Sequence, residues 1–240
     1  MPGLVPGIHV FAKAEDVDGR DKPGHDAEQG ETNMKIWGRT TSSNVQKVMW
    51  AIGEMSLKFE RIDIGGPFGK NREPAYLAMN PNGLVPTLEE DDGFLLWESN
   101  SIVRYLAPQH RAAVIEPADL RGRALASKWM DWQLAVLGPA ITPVFWNLVR
   151  MAPDKRDMNA VATGKEKTAA AVKMMDDQLG KTKFLAGDAF SYGDIPAGIM
   201  VRRYRELVPE RPEFKNVERW FAAIASRPAY DEHVMKIPMV

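Results

Sequence analysis

The 240 residues contain no cysteine. That excludes disulfides, thiolate metal sites and a thiol nucleophile borne by the chain itself, so any thiol chemistry must use a thiol on the substrate. Histidine is scarce as well: His9, His25, His110 and His233 are scattered without ligand spacing, which argues against a metal site. The 31 basic and 32 acidic residues form no long block of one sign and leave a formal charge of -1. Nothing therefore points to nucleic acid or to a membrane surface. No apolar run approaches a membrane span, and the early apolar stretch is broken by Pro6 and Gly7, so no secretory signal is read.

The composition is otherwise that of a globular chain, long enough for one large or two small domains and able to bury roughly 70% of its unfolded surface. Residues 1–33 differ from the rest. Pro2, Gly3, Pro6, Gly7, Gly19, Pro23, Gly24 and Gly30 interrupt any periodicity, and the segment reads as a disordered extension. From Met34 short strands and helices alternate. Strands are expected at 34–38, 59–64, 85–89 and 94–97. Helices are expected at a face marked by Val45, Val48, Met49 and Ile52, at 74–79, and from Ser99 to about Ala107. Asp92-Gly93 suits a tight hairpin turn with positive φ at both central residues. Residues 108–119 read as a linker.

After the linker the chain is helical in character. Residues 121–150 form a long apolar stretch that Gly138-Pro139 and Pro143 are expected to break or bend. A second helix is expected over 163–179, and Trp220, Phe221 and Ile224 mark a core helix near the end. Ser191-Tyr192-Gly193-Asp194 has capping-box spacing: Asp194 should accept the Ser191 N–H while the Ser191 hydroxyl accepts from the N–H of residue 194.

The most informative segment is Asn80-Pro81-Asn82-Gly83-Leu84-Val85-Pro86-Thr87-Leu88, followed by Trp97-Glu98-Ser99-Asn100-Ser101. Proline has no N–H for a central strand, so Pro86 implies an edge or a cis bond in a tight turn, and either leaves the Val85 backbone free for an extended peptide. Ser99 at a helix start can cap it, and the amides there can hold a carboxylate. A small anionic peptide suits both halves.

These motifs resemble the glutathione-site half of the cytosolic glutathione transferases, in a bacterial, theta-like, serine-type branch, from Met34 to near the C-terminus. The resemblance implies an N-terminal thioredoxin-like α/β domain at 34–107 with a mixed four-stranded sheet, and an all-helical domain at 120–240. It implies that Leu84, Val85, Pro86, Glu98 and Ser99 bind glutathione, the Val-Pro segment its cysteinyl part and the Glu-Ser pair its γ-glutamyl end. Counting back from Val48, it assigns Ser42 as the hydroxyl that stabilises the thiolate, with Asn44 as helper, among the consecutive hydroxyls of Thr40, Thr41, Ser42 and Ser43. It reads Ser191 and Asp194 as folding determinants.

An electrophile pocket is expected between the domains, walled by Trp129, Met130, Trp132, Gln133, Phe145 and Trp146, with Trp132 and Phe145 the named contacts. The function implied is transfer of glutathione to small apolar electrophiles or hydroperoxides by a cytoplasmic homodimer, with glutathione as co-substrate and no metal. The alternative is a non-catalytic binder of glutathione or apolar ligands on the same fold.

Overall fold

The computed structural model describes residues 34–110 and 112–240; the expectation for 1–33 lies outside them. The first elements are β1 (Lys35–Trp37), α1 (Ser43–Glu54), β2 (Glu60–Ile62), α2 (Pro74–Met79), β3 (Thr87–Glu89), β4 (Leu95–Trp97) and α3 (Ser99–Gln109). The strands assemble in the order β2-β1-β3-β4, with β1 parallel to β2 and antiparallel to β3, which is antiparallel to β4. This is a mixed thioredoxin-like sheet. Ile36 pairs with Leu88, and both are fully buried.

Each strand is shorter than the sequence suggests. β3 begins only at Thr87, because Pro86 offers no donor to the ladder; the Val85-Pro86 bond is cis. The hairpin between β3 and β4 also differs from the expected two-residue turn. Gly93 N–H donates to the Glu90 carbonyl and Glu90 N–H to the Phe94 carbonyl, which makes a loop of Asp91, Asp92 and Gly93. Only Gly93 takes positive φ, at 85°, while the Asp92 carboxylate accepts from Phe94 N–H. A three-residue loop needs one left-handed position, and glycine supplies it.

Helix α1 is buried from Val45 to Ile52 on every side, not along the single face that the 45, 48, 49 and 52 spacing marks. The cause is tertiary: it lies between the sheet and the helical domain. A Cβ on Gly198 would stand 2.9 Å from the Trp50 ring, and one on Gly53 would stand 2.8 Å from His233. Glu54 accepts from Trp50 Nε1 at 2.8 Å and takes both arms of Arg227 at 2.7 and 2.6 Å.

The helical domain contains α4 (Leu120–Trp132), α5 (Gly138–Phe145), α6 (Met158–Leu179), α7 (Asp194–Leu207) and α8 (Lys215–Ala225). Residues 120–150 stay helical throughout, so the prolines do not break the helix. Widened turns at Gln133–Leu137 and Trp146–Arg150 flank α5. Side chains take up the carbonyls there: Thr142 Oγ1 donates to Gly138 O at 2.7 Å and Asn147 Nδ2 to Pro143 O at 2.9 Å. By length and composition alone this stretch is apolar enough to cross a membrane, contrary to the reading from sequence. It packs closely on α6: a Cβ on Gly164 would lie 2.8 Å from Val144.

Helix α6 begins at Met158, five residues earlier than expected, because Asp157 caps it by accepting from Ala160 N–H at 2.9 Å. Trp220, Phe221 and Ile224 are buried in α8 as expected. The capping box is half right. Asp194 accepts the Ser191 N–H at 3.0 Å, but the Ser191 hydroxyl accepts from Gly193 N–H and not from residue 194, and α7 starts at Asp194 itself. Asp194 also accepts from Leu185 N–H at 2.9 Å and Trp220 Nε1 at 2.8 Å, so one fully buried carboxylate ties together a loop, a helix start and α8.

Candidate active site

The site begins where β1 ends. Gly38 turns the chain, and a Cβ there would stand 2.4 Å from Val45 Cγ2 and 3.3 Å from Val85 Cβ. The first turn of α1 and the Val85-Pro86 segment therefore meet over a bare glycine. Ser42 is the N-cap of α1, half-buried, and its hydroxyl makes no capping bond. The first amide of the helix to be used is that of Gln46, bonded to the Ser42 carbonyl. The N–H groups of Ser43, Asn44 and Val45 have no partner among the described residues. An unspent hydroxyl beside unspent amides at the positive end of a helix dipole favours an anion.

The second element is the stretch before β3. Tyr76 OH donates to the Leu84 carbonyl at 2.7 Å and Asn80 Nδ2 to the same oxygen at 2.9 Å. Asn71 Nδ2 donates to Gly83 O at 2.7 Å. The stretch is thus clamped from α2 and the loop before it, while Val85 N–H and C=O take no hydrogen bond among the described residues. A peptide laid alongside can use both.

The third element is the start of α3. Glu98 is its N-cap and holds φ at 72° with ψ at 107°, a strained backbone for a residue with a Cβ. Ser99 is buried as the first helical residue and makes no capping bond, contrary to the capping role that the sequence suggests. The first backbone bond of this helix is Ile102 N–H to the Glu98 carbonyl, so its leading amides are also open.

Beyond Ser42, a cleft of 390 Å³ runs between α1, α5 and α7, lined by Ser43, Asn44, Lys47, Thr142, Met200 and Arg203 among others. Of the expected wall only Gln133 lines it. Trp132 instead packs edge-on against Trp129 at 5.0 Å, and Phe145 is buried beneath the Arg203 guanidinium, 4.0 Å from its ring centroid. Sequence reasoning missed Lys47 and Arg203. Lys47 is fully buried and donates to Gln133 Oε1 at 2.8 Å. Burial brings its ammonium down to about 7, Glu98 opposing the change and Arg203 adding to it. Lysine amid Val45, Val48, Met49 and Trp50 was the available signal, but it has meaning only once the helix is known to be buried all round.

A thioredoxin-like sheet, two open helix starts and a cleft between sheet domain and helical domain define the class of fold. Residues 41–109 match the family "Glutathione S-transferase, N-terminal domain", and residues 130–228 match "Glutathione S-transferase, C-terminal domain". The chain is 39% identical to glutathione S-transferase GstB of Escherichia coli over 206 residues, covering 84% of this chain and 98% of that protein. It is 33% identical to glutathione S-transferase 3 of Zea mays, covering 86% of this chain and 95% of that protein. Among solved structures, the theta class glutathione S-transferase of Xanthomonas axonopodis pv. citri with glutathione bound is similar at a TM-score of 0.82 and 39% identity, over 86% of this chain and 99% of that one. The chain belongs to the glutathione S-transferase family, a family of enzymes.

Proposed function

We propose that this protein transfers glutathione to electrophilic acceptors, with residues 34–107 as the glutathione domain and 120–240 carrying the acceptor pocket. Ser42 donates its hydroxyl to the glutathione thiolate with Asn44 assisting, and the thiolate lies over the first turn of α1. Stabilising the anion there lowers the thiol from its ordinary pKa of about 8.5 and raises the population of nucleophile. Val85 pairs with the cysteinyl backbone, flanked by Leu84 and Pro86, and the open amides of α3 with Glu98 and Ser99 hold the γ-glutamyl end. The acceptors are small apolar electrophiles or hydroperoxides. The enzyme works as a cytoplasmic homodimer, a reading supported by edge strand β4, on which Leu95 and Trp97 stand exposed side by side.

One observation carries this reading: the meeting of the α1 start with the unpaired Val85 backbone across Gly38. Retention on immobilised glutathione followed by turnover of a panel of chromogenic electrophiles and cumene hydroperoxide tests it. Retention with turnover is expected, and failure of the chain to bind glutathione at all would falsify the assignment.

A further inference from the structure

The cations at the cleft form no direct ion pair among the described residues. Several arginines elsewhere meet carboxylates, as Arg104 does with Asp131, Arg205 with Glu218 and Arg227 with Glu54, and Arg156 and Arg219 spend their donors on backbone carbonyls. Arg203 and Lys47, which line the cleft, form no ion pair among the described residues, nor does the exposed Arg150 nearby, and no Asp or Glu among the described residues lines it. Arg203 makes no hydrogen bond to any described residue either. Its guanidinium stands over the Phe145 ring, and Arg150 approaches the same ring at 5.6 Å, so two cations share one aromatic partner. Desolvation brings Arg203 down to about 10, with Arg150 and Arg202 pushing the same way. Arg202 itself is committed to Glu206 and to the carbonyls of Val234 and Ile237.

Desolvating a guanidinium that has no hydrogen-bond partner, as at Arg203, is costly unless a ligand supplies the counter-charge. A guanidinium resting on a ring with its donors unspent presents a fork that fits a carboxylate with two parallel hydrogen bonds. Resting on the transferase reading above, we propose that the cleft selects acceptors with an apolar body and one carboxylate, the carboxylate being held by Arg203 with Lys47 behind it. Met200 and Pro143 provide the apolar contact, and Ser43 and Asn44 mark the end nearest the thiolate.

An aryl chloride pair isolates the carboxylate. With 4-chloro-3-nitrobenzoate the thiol proton leaves to solvent, the thiolate sulfur forms a bond to the chlorine-bearing carbon, and chloride departs with the bonding pair. The corresponding benzamide reacts identically but is neutral. For the full-length enzyme, kcat/KM for each acceptor is divided by its uncatalysed rate with glutathione. The normalised ratio of benzoate to benzamide is expected to exceed about tenfold, the size of one charge-assisted hydrogen-bond pair, and to collapse toward unity in Arg203→Met.

Thr142→Glu places an anion on an exposed wall position and should lower the same ratio relative to Thr142→Gln, which loses the same hydroxyl bond to Gly138 O without adding charge. Calorimetry of the two glutathione conjugates with the wild-type enzyme should show the same preference for the carboxylate. A wild-type ratio near unity overturns the proposal while leaving the transferase reading intact. So does a ratio that Arg203→Met leaves unchanged while both rates fall, which would give the cations to the thiolate. Absence of glutathione binding removes the transferase reading itself.

Discussion

Ser42 and Ser191 each stand at the start of a helix, yet their surroundings differ in every respect that decides what a polar group does. Around Ser191 each donor is spent: its N–H and hydroxyl reach Asp194, its oxygen receives Gly193 N–H, and Asp194 is filled further by Leu185 and Trp220. Around Ser42 and again at Ser99 the helix starts are left open, with no side-chain cap. Hydroxyl and carboxyl residues at a helix start therefore do not distinguish structure from chemistry. Their hydrogen-bond partners do, since a buried start must be closed by the chain while an open one is closed by a ligand.

The comparison breaks most sharply at Asp194. Asp194→Ala orphans two buried backbone donors and the Trp220 indole, and should cost about 3 to 5 kcal/mol in denaturant melts, with activity per folded molecule retained. Loss of activity at full stability would move Asp194 into the site. The same group has a pH signature. Burial raises its carboxyl from 3.8 to about 6 against the pull of its four hydrogen bonds. Between those values the unfolded chain has released the proton and the folded chain has kept it, so this group's contribution falls as pH rises from about 4 to 6 and is level outside that window. The stability advantage of wild type over Asp194→Asn should therefore narrow across that interval in paired melts.

Ser42→Ala should do the opposite. We expect kcat/KM to fall about 10- to 100-fold, the worth of one donor to a developing or resident anion, while the melt moves by less than about 0.5 kcal/mol. Thiolate absorbance of the glutathione complex should titrate at higher pH in the variant. An unchanged titration transfers the role to Asn44 or a neighbouring hydroxyl. At the α3 start, Ser99→Ala and Glu98→Gln should each weaken glutathione by roughly 1 to 3 kcal/mol by calorimetry.

The smallest expected effect is the most discriminating. Glu98→Gly relieves the positive φ and should stabilise the fold by about 0.5 to 1 kcal/mol while weakening glutathione. A variant that both melts earlier and binds normally would make Glu98 a structural residue.

Much of this was readable in advance. The order of strands and helices followed from periodicity and turn residues, and the motifs that bracket Val85 and Ser99 carried the family resemblance with them. Local signals failed where tertiary partners decide. Helix α1 shows one apolar face to a periodicity count, but a second domain covers the other, and Lys47 is sealed in as a result. Gly138, Pro139 and Pro143 look like a break, yet the widened turns and the side chains of Thr142 and Asn147 keep the helix continuous. The acceptor wall was sought in aromatics, whereas of the residues named for it only Gln133 lines the cleft; Trp132 lies against Trp129 and Phe145 under Arg203. No spacing rule gives the place where residues from α1, α5 and α7 converge.

The all-round burial of α1 also governs how the molecule comes apart. A fragment ending after α3 would expose Trp50 and leave Glu54 without Arg227, so excising the first domain should loosen α1 and the loop that precedes it. The slowest amide exchange should therefore gather in the body of α1, protected to the level of global opening, while the open first turn only a few residues away exchanges readily until glutathione closes it. A single helix thus spans the whole range of local stability, from the part that holds both domains in one cooperative unit to the part that waits for the substrate.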